Sequence, residues 1–149
     1  MEDKLSEILD NILGLLLLEG SYDVQDSEDG FNVMIETPDA GRLIGFKGEN
    51  LTSLQLIINQ MMARESNGEG FKRVILDVSG WRKNKESELA EKAKAWAEQV
   101  RESGQGMELE PMPSWQRRVI HMSVQEMDGV ESESIGEGRD RHLVIRPVK

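Results

Sequence analysis

The sequence predicts an α+β fold built as two small units. Three observations carry that reading. Apolar residues recur at helical spacing in several stretches and alternate at strand spacing between them. Clusters of Gly, Pro, Asp and Ser fall where one pattern gives way to the other. A Ser79-Gly80 break separates one run of such elements from a second.

The elements follow in order. Residues 3–18 place Leu5, Ile8, Leu9, Ile12, Leu13 and Leu16 on one side of a helix, and Gly20 is expected to end it. Tyr22 to Gln25 and Phe31 to Ile35 read as two strands. Asp26-Ser27-Glu28-Asp29-Gly30 between them is turn chemistry, so they should form an antiparallel hairpin. Thr37-Pro38-Asp39 stops the second strand and opens a short helix ending near Ile44. Residues 50–64 predict a long helix with Leu51, Leu54, Ile57, Ile58 and Met61 on its apolar face. Ser66-Asn67-Gly68-Glu69-Gly70 is a loop, and Phe71 to Val78 a strand. Beyond the break, residues 83–102 predict a charged helix packing Leu89, Ala93, Trp96, Ala97 and Val100. Met107 to Leu109 is a short strand, and Ser114 is the expected N-cap of a helix burying Ile120, Val124 and Met127. Glu131 to Ile135 and His142 to Arg146, joined by Gly136-Glu137-Gly138, predict a closing hairpin. Trp81, Trp96 and Trp115 read as packed side chains rather than stacking platforms.

Two stretches carry chemistry. The first is Gly41-Arg42-Leu43-Ile44-Gly45-Phe46-Lys47-Gly48-Glu49-Asn50-Leu51. A Gly-x-x-Gly loop lets another backbone come close, and the helix start behind it offers unpaired N–H groups to phosphate. Lys47 and Arg42 add positive charge. A loop of this kind clamps single-stranded RNA in KH domains. With 14 Gly in the chain, the pattern arises by chance about once, so position must support it. The predicted order helix, strand, strand, helix, glycine loop, helix, strand is that of a type II KH domain, with the loop where such a domain places it. A plain helix–loop–helix turn is the alternative.

The second stretch is Ser114-Trp115-Gln116-Arg117-Arg118-Val119-Ile120-His121. Arg117 and His121 share a helix face opposite the apolar stripe, where they suit a phosphate or a carboxylate. The alternative is a pair that only packs within the fold.

Composition narrows the function. There is no Cys in 149 residues, which excludes a disulfide scaffold and Cys-based zinc sites and fits a cytoplasmic protein. Leu15-Leu16-Leu17-Leu18 is too short to span a membrane and lacks the basic flank of a signal peptide. The net charge of −10 opposes nucleic-acid binding as a sum. Its distribution does not. Residues 2–39 hold 11 acids and one Lys, whereas residues 40–64 are locally +2 and residues 139–149 are locally +3. That last patch comprises Arg139, Arg141, Arg146 and Lys149 against Asp140. With two His and no Cys, most nucleophile and metal constellations are absent. No cofactor motif is present, and no catalysis is expected.

Taken together, these stretches resemble the bacterial Jag (SpoIIIJ-associated, KhpB-type) proteins. These pair a KH domain with a second domain named for its Arg-x-x-x-His helix, the R-three-H domain. The resemblance rests on the glycine loop, on Arg73-Val74-Ile75-Leu76-Asp77-Val78 with Gly80-Trp81-Arg82, on Leu109-Glu110-Pro111-Met112, on Arg117-Arg118-Val119-Ile120-His121, and on Val144-Ile145-Arg146-Pro147. It implies a KH domain over 1–79 and a small α+β R-three-H domain over 80–149. It also implies a single-stranded RNA-binding protein, single-stranded DNA being the other candidate ligand. The cellular expectation is post-transcriptional control linked to cell elongation and division, with a small KH protein as partner.

On this reading Gly45 and Gly48 admit the strand, Arg42 and Lys47 pair phosphates, and Ile44 and Phe46 meet bases. Arg117, Arg118 and His121 form a second contact. Phe46 departs from the basic residue that family members typically carry there. The sequence starts directly at the KH helix, whereas the family often has a separate N-terminal Jag domain, so a shorter relative and a piece of a longer protein are both open. The alternative is a protein-interaction module with little RNA affinity, served by the acidic first helix and Phe46.

Overall fold

In the first unit a helix, α1 (Glu2–Leu15), packs Leu5, Ile8, Leu9 and Leu13 onto a three-stranded sheet. The chain is seen here in a computed structural model that describes residues 1–67 and 69–148. Gly68 of the expected loop and Lys149 of the C-terminal basic patch lie outside the described residues. The chain divides into Met1–Arg82 and Lys83–Lys149.

Strands β1 (Ser21–Ser27) and β2 (Gly30–Glu36) form the expected antiparallel hairpin, with Ser27 opposite Gly30. Helices α2 (Ala40–Ile44) and α3 (Glu49–Glu65) then cross over to β3 (Val74–Val78), which pairs parallel to β2. The sheet order is β1-β2-β3. Helix–strand–strand–helix–helix–strand is the predicted order. Phe31, Val33 and Ile35 of β2 and Val74, Leu76 and Val78 of β3 meet the helices in one core.

The free edge of β3 is covered from α3. Asn59 Nδ2 donates to the Val74 carbonyl and its Oδ1 accepts from the Val74 N–H, both at 2.8 Å. Gln55 Oε1 accepts from the Leu76 N–H at 2.9 Å. These side chains satisfy edge groups that would otherwise template pairing with another strand.

Three expectations shift. Helix α1 ends at Leu15, not near Gly20, because Leu17 turns left-handed (φ 56°) and the Leu18 N–H reaches back to the Leu13 carbonyl. Leu16 therefore leaves the apolar face and is exposed. On α3 the buried stripe is Leu51, Ile58 and Met62, while Ile57 and Met61 face outward. Phe71 stands outside β3 and is exposed.

The second unit opens with most of α4 (Trp81–Ser103), which buries Leu89, Ala93, Ala97 and Val100. They meet Ile120 and Val124 of α5 (Ser114–Gln125) and Leu143 and Ile145 of β6 in a second core. Strands β4 (Met107–Glu108), β5 (Val130–Ile135) and β6 (His142–Pro147) form an antiparallel sheet in the order β4-β6-β5, so the closing hairpin is as expected. Trp96 packs against this core, and Trp81 against the first. Ser114 is not the N-cap of α5. Pro113 holds that place, and no side chain caps the helix. Among the described residues no helix is long and apolar enough to cross a membrane.

Candidate nucleic-acid interface

The glycine loop runs from the end of α2 to the start of α3, and its backbone is unusual at three of four positions. Gly45 sits at φ 72°, ψ −176°, a region essentially closed to residues with a Cβ. Lys47 (φ 53°) and Gly48 (φ 78°) are left-handed. The Gly45 N–H bonds the Gly41 carbonyl at 2.9 Å and the Gly48 N–H reaches the Gly45 carbonyl at 3.3 Å. This path turns two side chains out. Phe46 is 74% exposed, and Lys47 Nζ lies 5.4 Å from its ring centroid, within cation–π range. Arg42 on α2 is exposed too. Ile44 is half-buried against the core.

The glycines are not where a gap opens. A Cβ on Gly45 would fall 2.5 Å from Asn50 Cγ, and one on Gly48 would fall 2.4 Å from Trp81 Cη2. Gly48 is buried. The expectation that the missing Cβ atoms make room for a sugar–phosphate strand is thus corrected. That room is taken by Asn50, whose Nδ2 donates to the Arg42 carbonyl at 2.8 Å, and by the Trp81 indole. The glycines are demanded by backbone conformation and by packing from behind, and the outward surface of the loop belongs to Phe46 and Lys47. Helix α3 begins with Glu49, one residue before the expected Asn50, which sets a negative charge at the helix end that attracts anions.

In the second unit α5 lies against β5. Alternation along Val130-Glu131-Ser132-Glu133-Ser134 turns both serines toward the helix. Arg117 Nη1 donates to Ser134 Oγ at 2.8 Å, and its Nε donates to the Met112 carbonyl at 3.1 Å. His121 Nδ1 and Ser132 Oγ share a hydrogen bond of 2.6 Å. Arg117 and His121 are half-buried and share one helix face, whereas Arg118 is exposed. Burial first, and then the like charge of Arg141, push the Arg117 guanidinium below its ordinary value. Arg141 itself is held with its Nη1 on the Gly136 carbonyl at 2.9 Å.

Ser132, Ser134 and Arg141 were not among the expected site residues. The period-two pattern of β5 was the available signal for the serines. The C-terminal basic patch is smaller than its sequence suggests. Arg146 is paired with Glu131 and Glu133, leaving Arg139 and Arg141 on the described part. His142 is half-buried and is held by the Asp140 carbonyl at 2.8 Å and Glu108 Oε1 at 3.3 Å.

A family model described as the KhpA/KhpB KH domain matches residues 2–78. The chain belongs to this family. A second model, for the R-three-H domain, matches residues 87–147. The KH match ends at the last residue of β3, and the R-three-H match takes in the Arg117–His121 helix and the whole second sheet. The chain is 31% identical over 147 residues to the RNA-binding protein KhpB of Clostridium symbiosum, covering 97% of this chain and 65% of the relative. The KhpB of Bacillus subtilis is 33% identical over 124 residues, 82% of this chain and 59% of the relative. That of Streptococcus pneumoniae is 30% identical over 114 residues, 76% and 34%. The chain thus spans less than two thirds of the length of these relatives.

Proposed function

We propose that the chain binds single-stranded RNA without turning it over, through the KH loop and the Arg117–His121 face of the R-three-H domain. The observation that carries this is the loop tip. Three positive-φ residues in four hold an aromatic ring and an ammonium group in solvent side by side, with Arg42 exposed on the preceding helix. A ring stacks on a base whatever its identity, and a cation pairs the adjoining phosphate. The relatives named RNA-binding proteins, and the KH and R-three-H matches, support the same reading.

In this assignment Phe46 meets a base, with Ile44 behind it. Lys47 and Arg42 pair phosphates, and Gly45 and Gly48 shape the loop. Arg117, Arg118 and His121, joined by Arg141, take a second stretch of backbone. The Arg117 guanidinium is oriented by Ser134 and Met112, so its geometry is set before a ligand arrives.

The test is anisotropy of a fluorescein-labelled oligouridine titrated with the full chain across a range of salt. Saturable binding that weakens steadily with salt is the expected result, and absence of binding at low salt refutes the proposal. Gly45→Asp with Gly48→Asp is a poor probe of the interface, since it also drives side chains into Asn50 and Trp81.

One observation favours the second reading, a protein-interaction module. Leu56 and Ile57 are 59% and 50% exposed, and with Met61 they form an apolar face on α3. Retained binding of a protein partner by a chain with no RNA affinity would be its sign.

A further inference from the structure

The loop is braced from behind by a residue that sequence spacing places outside it. The indole of Trp81 rests on Gly48, so that a Cβ there would meet Cη2 at 2.4 Å, Cζ3 at 2.9 Å and Cζ2 at 3.3 Å. Trp81 is the first residue of α4, and a tight turn aims it. Ser79 (φ 50°) and Gly80 (φ 76°) are both left-handed, an arrangement costly for Ser.

That turn is anchored on several sides. The Ser79 N–H donates to the Ile35 carbonyl at 2.8 Å. Asp77 Oδ1 accepts from the N–H groups of Val78 and Arg82, each at 2.7 Å. Arg82 Nη1 reaches Gln55 Oε1 at 3.2 Å, the same oxygen that covers Leu76 on the edge of β3. The turn that carries the indole is therefore fixed to β2, β3 and α3, and the loop it backs has three left-handed or otherwise glycine-favouring positions in four. Within the loop, the hydrogen bond from the Gly48 N–H to the Gly45 carbonyl is long at 3.3 Å. Lys47 adopts a left-handed conformation that is costly for a residue with a Cβ.

We propose that Trp81 is a positioning residue for RNA binding: its indole pins Gly48 in the left-handed conformation and so keeps Phe46 and Lys47 turned out at the loop tip. This rests on the assignment of the loop as an RNA contact. A loop ordered beforehand does not lose that freedom on binding, so removing the brace costs affinity although Trp81 need not touch the ligand.

The test uses the full chain with Trp81→Ala and Trp81→Phe. Amide hydrogen exchange is read at Phe46, Lys47 and Gly48, and affinity is read with labelled oligouridine. Trp81→Ala should speed exchange at these amides and weaken binding about tenfold, the factor that ~1.4 kcal/mol represents. Trp81→Phe, whose smaller ring still covers Gly48, should recover most of both. A folded Trp81→Ala chain with unchanged exchange, or with unchanged affinity, overturns the proposal.

A further chain, Trp96→Phe with Trp115→Phe, leaves Trp81 as the sole indole and needs no disruptive change at the brace. Its emission should be that of a partly shielded, packed indole before any RNA is added, and the emission of a fully solvent-exposed indole counts against the brace. If the unmodified chain binds no RNA, the assigned function fails. The exchange measurement then still decides whether Trp81 orders the loop.

Discussion

Gly45→Ala puts the account of the loop to a quantitative test. At φ 72° and ψ −176° the position lies where only glycine is at ease. Forcing alanine into such a region costs roughly 1–3 kcal/mol. The new methyl would also lie 2.5 Å from Asn50 Cγ, 2.7 Å from its Nδ2 and 2.9 Å from its Cβ. Asn50 must swing away, and its hydrogen bond to the Arg42 carbonyl goes with it. Such a bond contributes about 0.5–1.5 kcal/mol. The two effects together give a loss of about 1.5–4.5 kcal/mol.

Urea unfolding of the full chain, followed at the first unit's transition, measures it. In an Asn50→Ala background two of the three close contacts vanish, so Gly45→Ala should there cost little more than the backbone strain. The two substitutions are predicted to be non-additive, as expected for side chains in contact. A loss below about 0.5 kcal/mol, the scale of an ordinary surface change, would refute the reasoning. Strict additivity would refute the packing part of the reasoning, because it would mean that Asn50 does not press on the position.

Two more outcomes are expected. The Asp140 carbonyl, first, and then Glu108 both accept from the ring of His142, which only a doubly protonated imidazole can satisfy, and they raise its pKa above the ordinary value. Its protonated form therefore stabilises the fold fully below about pH 6.5, the unfolded value, and the effect fades as pH rises through the higher folded value. A proton NMR titration should show this, with Glu108→Gln moving the midpoint down. An unmoved midpoint contradicts it. Leu17→Gly should stabilise the first unit by about 1 kcal/mol, because a left-handed residue at a helix end favours glycine and Leu17, 87% exposed, loses no burial. A thermal melt checks this, and a lower midpoint would refute it.

Much of the fold was legible because each unit is built from strong local patterns. Alternation along Val74, Leu76 and Val78 marked a buried strand, and the spacing of Leu5, Ile8, Leu9 and Leu13 marked a helix face. Local patterns failed where the outcome depends on contacts distant in sequence. Met61 and Met62 are adjacent and equally apolar, so periodicity could not choose between them. The sheet beneath α3 did, burying Met62. Gly14 lies inside α1 and Gly20 well past its end, and the left-handed position between them was taken by Leu17.

The loop position, its flanking helices and the Arg117–His121 pairing were all readable from spacing. The reason for the glycines was not, since Trp81 lies 33 positions after Gly48 in the sequence and reaches it only through the turn at Ser79 and Gly80. Glu131 and Glu133 cancel Arg146 across the second sheet in the same way, which no count of charges along the chain reveals.

The central claim is that an exposed ring and an exposed ammonium group at one loop tip take hold of a single strand. Its most direct test is the affinity of oligouridine for the full chain, Phe46→Ala and Lys47→Ala, each measured across salt. Lys47→Ala should lower the slope of log K against log salt by about 0.7, the counterion share of one phosphate contact on a single strand. Phe46→Ala should leave that slope alone and cost about 1–3 kcal/mol at every salt concentration, the range for one stacked base. Unchanged slopes and unchanged affinities in both variants, with the fold intact, would place the ligand elsewhere on the chain.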